Sequence, residues 1–363
     1  MKIAFFGSSL VSSYWNGAAT YYRGLLKALA ALGHHVTFYE PDAFERQQHR
    51  DIADPAWSEV VVYPATSDGW RAALERAAPR VDLLVKASGV GVFDTELEMA
   101  VPEIASTKTI TAFWDVDAPA TLDKIAAHPE HHLRRLIPRY DIVFTYGGGD
   151  PVVSAYHRLG ARACVPIYNA LDPDTHHPAL VRSAFAGDLS FLGNRLPDRE
   201  ARVHEFFLKP ARLLPARTFV LGGAGWEPFD LPPNVRHVGH VGTNDHNAFF
   251  CSAFATLNIN RESMARYGFS PPTRVFEAAG AGACLISDAW IGLEQFFEPG
   301  REVLVATSGD EVARFLGDLT PADRERIATA ALQRVLAEHT YAHRAREVDD
   351  ILEMRTPANG VAA

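Results

Sequence analysis

The sequence predicts an α/β protein of two domains, each built on a parallel sheet, and three observations predict it. The chain has 363 residues, which at roughly 100–200 residues per domain gives about two full-sized cores. Short apolar runs recur with amphipathic helical stretches between them, as buried parallel strands and their crossovers require. The alternation also starts twice, at the N-terminus and again near residue 187. No short-period repeat is present, and a cleft between two such domains is the default ligand site.

Ile3 to Phe6 reads as a short buried strand ended by Gly7. The loop Ser8 to Gly17 leads into a helix with Tyr21, Leu25, Leu26, Leu29 and Leu32 at helical spacing, and Gly33 is its stop. Val36–Tyr39 is the second strand, reached by a right-handed crossover. Val60–Tyr63, Leu83–Lys86, Thr109–Phe113 and Ile142–Thr145 continue the sheet, with helices at Trp70–Ala78 and Leu133–Ile137.

A junction rich in Asp, His and Pro runs from Pro166 to Pro178. Beyond it the pattern predicts strands at Leu189–Leu192, Arg217–Leu221, Val235–Val238, Ala255–Ile259 and Cys284–Ser287. Helices fall at Arg199–Phe207 and Pro272–Ala281, a long one runs from about Pro321 to Leu352, and Met354–Ala363 is a frayed tail. The expected boundaries are 1–170, a linker at 171–187, 188–335, and a closing helix and tail at 336–363.

Composition excludes several functions. With 47% hydrophobic and 22% charged residues the chain is an ordinary globular protein. The 35 basic against 44 acidic residues give a net charge of -9, which argues against a nucleic-acid partner. A local basic pocket for one small anion stays compatible with it. Lysine stands only at Lys2, Lys27, Lys86, Lys108, Lys124 and Lys209, so arginine supplies nearly all positive charge. Cys164, Cys251 and Cys284 form neither a disulfide framework nor a CxxC pair, which favours a reducing cytoplasm. The first apolar run is too short for a signal peptide, and no stretch reaches a transmembrane length. His128, His131 and His132 beside Glu130 lack a further ligand, so a solvated helix is expected there and no metal site.

The segment Tyr267 to Gly282 is the most informative. Ser270 is placed to cap a helix opening with Pro271-Pro272, whose free amides and dipole suit a phosphate. Arg274 and Glu277 are three apart and share a face. Either they hold a diphosphate and two ribose hydroxyls, or they are a surface pair on an Ala-rich helix. Small residues after Glu277 allow close packing or nucleotide approach. Gly193, Asn194, Arg195 and Arg199 follow a strand and offer a second anion site, unless they are a plain surface turn. Leu221 to Gly225 lacks a dinucleotide fingerprint and reads as a bare loop.

In the first half, Asn16 and Gly17 precede a helix at the strand edge and are candidates to grip an acceptor or a donor phosphate. Asp115 and Asp117 follow Phe113-Trp114, where α/β domains keep active groups. Asp115 either acts as general base or orients a hydroxyl nucleophile, or it caps the next helix. Tyr146 to Asp150 reads as a flexible turn.

Together these motifs, from Met1 to about Leu352, resemble a GT-B glycosyltransferase, particularly the CgeB-like spore-maturation branch. The carriers are the Asn16-Gly17 loop, Leu32 to Val36, Asn169…Asp172…His177-Pro178, Gly193 with Arg199, Glu277 to Gly282, and Ile291 to Gly300. The resemblance implies two facing Rossmann-like domains with the closing helix returning toward the first. It implies a metal-independent, hexosyltransferase-type enzyme with no cofactor beyond its co-substrate, a nucleotide-diphosphate sugar. Gly193, Asn194, Arg195, Arg199, Ser270, Arg274 and Glu277 would then bind donor. Asn16, Gly17, Asp115 and Asp117 would face a glycan, protein or small-molecule acceptor, with Asp115 and Arg199 catalytic. Phe269 stands eight residues before Glu277, where many retaining relatives carry a second Glu, and Pro271-Pro272 reshape the loop, leaving retention and inversion open. A nucleotide-sugar epimerase and a catalytically silent nucleotide-sugar binder are the rival readings.

Overall fold

The computed structural model describes residues 1–227 and 230–355. They fall into two compact units. One is Met1–Tyr168 joined by the described chain from Tyr341 onward, and the other is Asn169–Thr340.

The first unit is a seven-stranded parallel sheet: β1 (Lys2–Phe6), β2 (His35–Asp42), β3 (Ser58–Pro64), β4 (Leu83–Ala87), β5 (Ile110–Asp115), β6 (Ile142–Thr145) and β7 (Cys164–Pro166). Its order is β3-β2-β1-β4-β5-β6-β7, so the topology reverses between β1 and β4. Ile3, Ala4, Phe5 and Phe6 are all buried, as a strand covered on both faces must be. In register, Phe5 pairs with Phe38 on β2 and with Val85 on β4. Gly7 ends β1 because a Cβ there would sit 2.5 Å from the Phe38 ring.

The helix Ala19–Ala31 ends at Leu32, and Gly33 follows at φ +94, the left-handed position glycine fills best. Tyr146 to Asp150 is not merely a flexible turn, since Gly148 is the left-handed residue from which the helix Gly149–Arg158 starts. His128 to His132 is a turn rather than a helix, and His132 pairs with the buried Glu98.

The second unit is a six-stranded parallel sheet of β8 (Gly187–Leu192), β9 (Phe219–Gly222), β10 (Val235–His237), β11 (Ala253–Asn258), β12 (Leu285–Asp288) and β13 (Leu304–Ala306). The order β10-β9-β8-β11-β12-β13 reverses between β8 and β11. Leu189, Phe191, Phe207, Phe219, Leu257 and Ile286 form the centre of its core.

The long closing helix is a correction. It is broken into Pro321–Glu338 and Tyr341–Glu353. The cause lies at the break, where the Leu171 amide donates to the His339 carbonyl at 2.8 Å and Leu171 pairs with Thr340 as a parallel bridge. That carbonyl and the local chain direction are withdrawn from the helix. The second piece packs on Ala19–Ala31 in the first unit: Gly24 has no side chain where the Tyr341 ring lies, and His34 Nε2 meets Asp349 at 3.0 Å. The expected tail lies outside the described residues beyond Arg355.

Candidate functional site

The strongest convergence of charge is at the end of β8, on the reversal point of the second sheet. A Cβ on Gly193 would meet Arg199 Nη1 at 2.9 Å and Arg274 Nη2 at 3.0 Å. Two guanidinium groups therefore crowd one backbone position. Arg199 reaches it from the first turns of Pro197–Val203 and donates to the Asn194 carbonyl at 3.3 Å. Arg274 comes from Thr273–Gly280, donates through Nε to the Leu192 carbonyl and through Nη1 to Asn258 Oδ1 at 2.9 Å, and lies over the Phe191 ring. Burial, followed by the charge of Arg199, pulls Arg274 down to about 9, so it stays protonated at neutral pH. Adjacent buried cations of this kind call for a multiply charged anion.

The turn that carries Gly193 is braced from behind by Gly222 to Trp226. Gly193 N donates to the Gly222 carbonyl at 2.9 Å, Asn194 Oδ1 accepts from Ala224 N at 3.0 Å, and Trp226 Nε1 donates to the Gly193 carbonyl at 2.9 Å. Gly223 sits at φ +122, and a Cβ there would be 2.3 Å from the Gly193 oxygen. The bare-loop expectation for Leu221 to Gly225 is thus corrected: these glycines are the back wall of the turn. The signal was present as a Gly-Gly pair ending a strand adjacent to β8.

Glu277 lies one turn beyond Arg274, and both are buried, so the surface-pair alternative falls. His176 Nε2 stands 4.0 Å from Glu277 Oε1. The small residues after it have a packing role, because a Cβ on Gly280 would be 2.3 Å from Leu171. Asn169 fixes the start of the segment by donating to the Pro271 carbonyl at 2.8 Å.

Two donor-side expectations change. Ser270 does not cap the helix: its Oγ donates back to the Gly268 carbonyl at 2.9 Å, and Pro272 is the N-cap. The two prolines place the helix start two residues after Ser270, which puts its hydroxyl out of capping reach. Arg195 points to Glu200, with Nε 2.8 Å from Oε2, at the surface.

In the first unit the structure places Asn16, Gly17, Asp115 and Asp117 as follows. Asp115 is fully buried at the end of β5. Oδ1 accepts from Ser88 Oγ at 2.7 Å, Asp117 N at 3.0 Å and Thr121 Oγ1 at 3.0 Å, and Oδ2 accepts from Tyr156. Burial pushes its pKa up while these donors oppose the shift. A carboxylate so enclosed ties the β5 turn to the following helix. Asp117 takes the N-cap position of Ala118–Ala127 without a side-chain cap bond. Asn16 is likewise saturated: Nδ2 donates to the Ser9 and Ser12 carbonyls at 2.8 and 3.0 Å, and Oδ1 accepts from Ser8 Oγ at 2.9 Å. Gly17 beside it faces open space.

The loop that Asn16 closes is stiffened by charge. Arg23 holds Asp51 through two bonds of 3.0 and 2.7 Å, and Ser13 adds two more at 2.9 Å. Glu40, also buried, accepts from Ser9 Oγ at 3.0 Å and Leu10 N at 2.6 Å. Sequence reasoning missed this buckle because Arg23, Glu40 and Asp51 sit far apart in the chain.

No helix among the described residues is long and apolar enough to cross a membrane. Residues 199–350 match the family model described as glycosyl transferase-like. No curated protein matches the chain. Among solved structures, sucrose-phosphate synthase from Thermosynechococcus elongatus is similar at TM-score 0.73 and 14% identity, over 98% of this chain and 99% of that one. Anabaena HepE, solved with UDP and glucose, gives TM-score 0.66 and 14% identity over 98% and 100%. An α-glucosyltransferase in complex with UDP and a 13-mer DNA gives 0.68 and 12% over 97% and 99%. The two parallel-sheet units match the GT-B fold of these solved structures, and the glycosyl transferase-like match spans the residues that hold Arg199, Arg274 and Glu277.

Proposed function

We propose that the second unit holds a nucleotide-diphosphate sugar at Gly193, Arg199, Arg274 and Glu277, and that the protein transfers its sugar, a hexosyl group, to a glycan, protein or small-molecule acceptor. The observation that carries this reading is the pair of buried guanidinium groups meeting at Gly193. As the bond from the anomeric carbon to the diphosphate breaks, negative charge grows on the leaving oxygen. Arg199 and Arg274 are already oriented toward one point and offset that charge without rearranging. The Glu277 carboxylate accepts hydrogen bonds from vicinal ribose hydroxyls. Two fixed cations take the part a divalent ion plays elsewhere, so the transfer is metal-independent, and chelation does not abolish turnover.

Asp115 in this reading positions the β5 turn and is not the base. The Asn16–Gly17 loop, stiff and uncrowded at Gly17, is the acceptor-side element. The -9 charge favours a non-nucleic-acid acceptor, and three widely spaced unpaired cysteines support a cytoplasmic setting. Membership of the CgeB-like branch is supported by Asn169, Asp172 and His177-Pro178, and by Ile291 to Gly300. A thermal-shift panel of UDP-, GDP- and dTDP-sugars tests the donor class, because a ligand of the native state raises its melting temperature. Stabilisation by at least one of them is expected; no stabilisation by any overturns the reading.

A further inference from the structure

Three ligating side chains meet in the second unit where the sugar transfer calls on only one of them. His176 Nε2 is 3.2 Å from His246 Nδ1 and 4.0 Å from Glu277 Oε1. One ligating atom from each residue lies within 4.8 Å of the other two. In a tetrahedral site with metal–nitrogen bonds of about 2.0–2.1 Å, neighbouring ligand atoms stand about 3.3 Å apart. The two nitrogens already have about that spacing, and Glu277 Oε1, 4.0 Å from His176 Nε2, moves closer to join them.

The surrounding chain holds the three groups in place. His246 belongs to the helix Thr243–Ser252, and its neighbour Asn247 clamps the segment bearing His176. Asn247 Nδ2 donates to the Thr175 carbonyl at 2.9 Å and its Oδ1 accepts from His177 N at 3.2 Å. His246 is also hydrogen-bonded to the Val241 backbone. A ring anchored to the backbone in this way has its tautomer and orientation fixed, as metal-ligating imidazoles commonly do. Each ring turns one nitrogen into the cluster, and the buried Glu277 sets a carboxylate oxygen beside them.

We propose that His176, His246 and Glu277 form a binding site for a borderline divalent cation of the zinc or cobalt class, with solvent completing a tetrahedron. Two imidazole nitrogens and one carboxylate suit such ions, whereas magnesium and calcium take oxygen ligands. The site goes beyond the transfer reaction and stands on its own geometry. Only one consequence rests on the donor assignment: because Glu277 is also the ribose anchor, a bound cation and the donor compete, and the ion is an inhibitor rather than a cofactor.

Cobalt(II) titrated into the full chain tests the site directly, since tetrahedral cobalt absorbs strongly in the visible and aqueous octahedral cobalt weakly. One equivalent is expected to produce the tetrahedral spectrum. His246→Gln and Glu277→Gln, each checked by circular dichroism for an intact fold, weaken cobalt binding at least about tenfold. The pair His131→Ala and His132→Ala, outside the cluster, leaves the spectrum as it is. Absence of the tetrahedral spectrum, or a spectrum indifferent to His246→Gln in a folded protein, overturns the site. Neither readout uses nucleotide or activity, so a failed donor assignment and a failed metal site give different results.

Discussion

Arg199 and Arg274, carried by different helices, bring their Nη1 and Nη2 atoms to 2.9 and 3.0 Å from the same point above Gly193. Arg274 is also bonded into the sheet through Leu192 and Asn258, and Arg199 donates to the Asn194 carbonyl. Arg199→Ala is expected to leave folding intact and weaken nucleoside diphosphate binding roughly 10- to 100-fold, the size of one charge-assisted hydrogen-bonding group. Calorimetric titration of UDP, GDP or dTDP, whichever the protein binds, checks it; unchanged affinity sinks the assignment.

Arg274→Ala combines two losses. It removes the second cation and leaves the Leu192 carbonyl and Asn258 Oδ1 without their donor in a buried setting. A stability loss of about 1–3 kcal/mol is expected besides weaker binding, read as a lower urea midpoint that Arg199→Ala does not show.

Glu277→Gln keeps the side chain's size and removes its charge. The wild-type protein should prefer a ribose nucleotide to its 2′,3′-dideoxy analogue, and the variant should lose most of that preference, roughly tenfold. Equal discrimination by both proteins removes Glu277 from the ribose.

Gly223→Ala places a methyl group 2.3 Å from the Gly193 oxygen and forces a non-glycine residue to φ +122. A loss of about 1–3 kcal/mol follows from the strained backbone alone, and displacement of the Gly193 turn adds a loss of donor affinity. Chemical denaturation and nucleotide titration report the two effects separately.

Asp51 gives a pH signature for the loop that Asn16 closes. Burial alone would raise its pKa, but the hydrogen bonds and charge of Arg23, with those of Ser13, overcome that and hold it at about 2. A folded value below the unfolded one contributes stability above about pH 4 that is lost as pH falls through about 2. The contribution is about 2 kcal/mol at neutral pH. The urea-midpoint gap between wild type and Asp51→Asn should accordingly narrow between pH 4 and pH 2; a gap independent of pH refutes the buckle.

Both parallel sheets were legible because their strands are continuous apolar runs, buried on two faces, with glycine or a polar turn at each end. Three-residue strands such as Cys164–Pro166 and Leu304–Ala306 carry too little pattern to be seen. At the donor site, Gly193, Arg199, Arg274 and Glu277 were legible as residue types at suitable spacings. Their convergence depends on Arg274 bonding to Leu192, 82 positions away, which no local pattern encodes. The surroundings of Asp115 were hidden for a related reason. A carboxylate after a buried strand looks catalytic, and its bonds to Ser88, Thr121 and Tyr156 come from other segments. The helix break at His339-Thr340 is likewise imposed from outside by Leu171.

The return of the chain at Tyr341 sets an order of events during synthesis. The helix Tyr341–Glu353 that covers Gly24 is made after all of 169–340, although the residues beneath it precede that unit. The second unit is complete as soon as its final residue emerges, so the later-made half can finish folding before the earlier one. Until Tyr341 arrives, the place its ring takes over Gly24 stays uncovered, and a nascent chain stalled before that residue holds one finished unit and one unfinished.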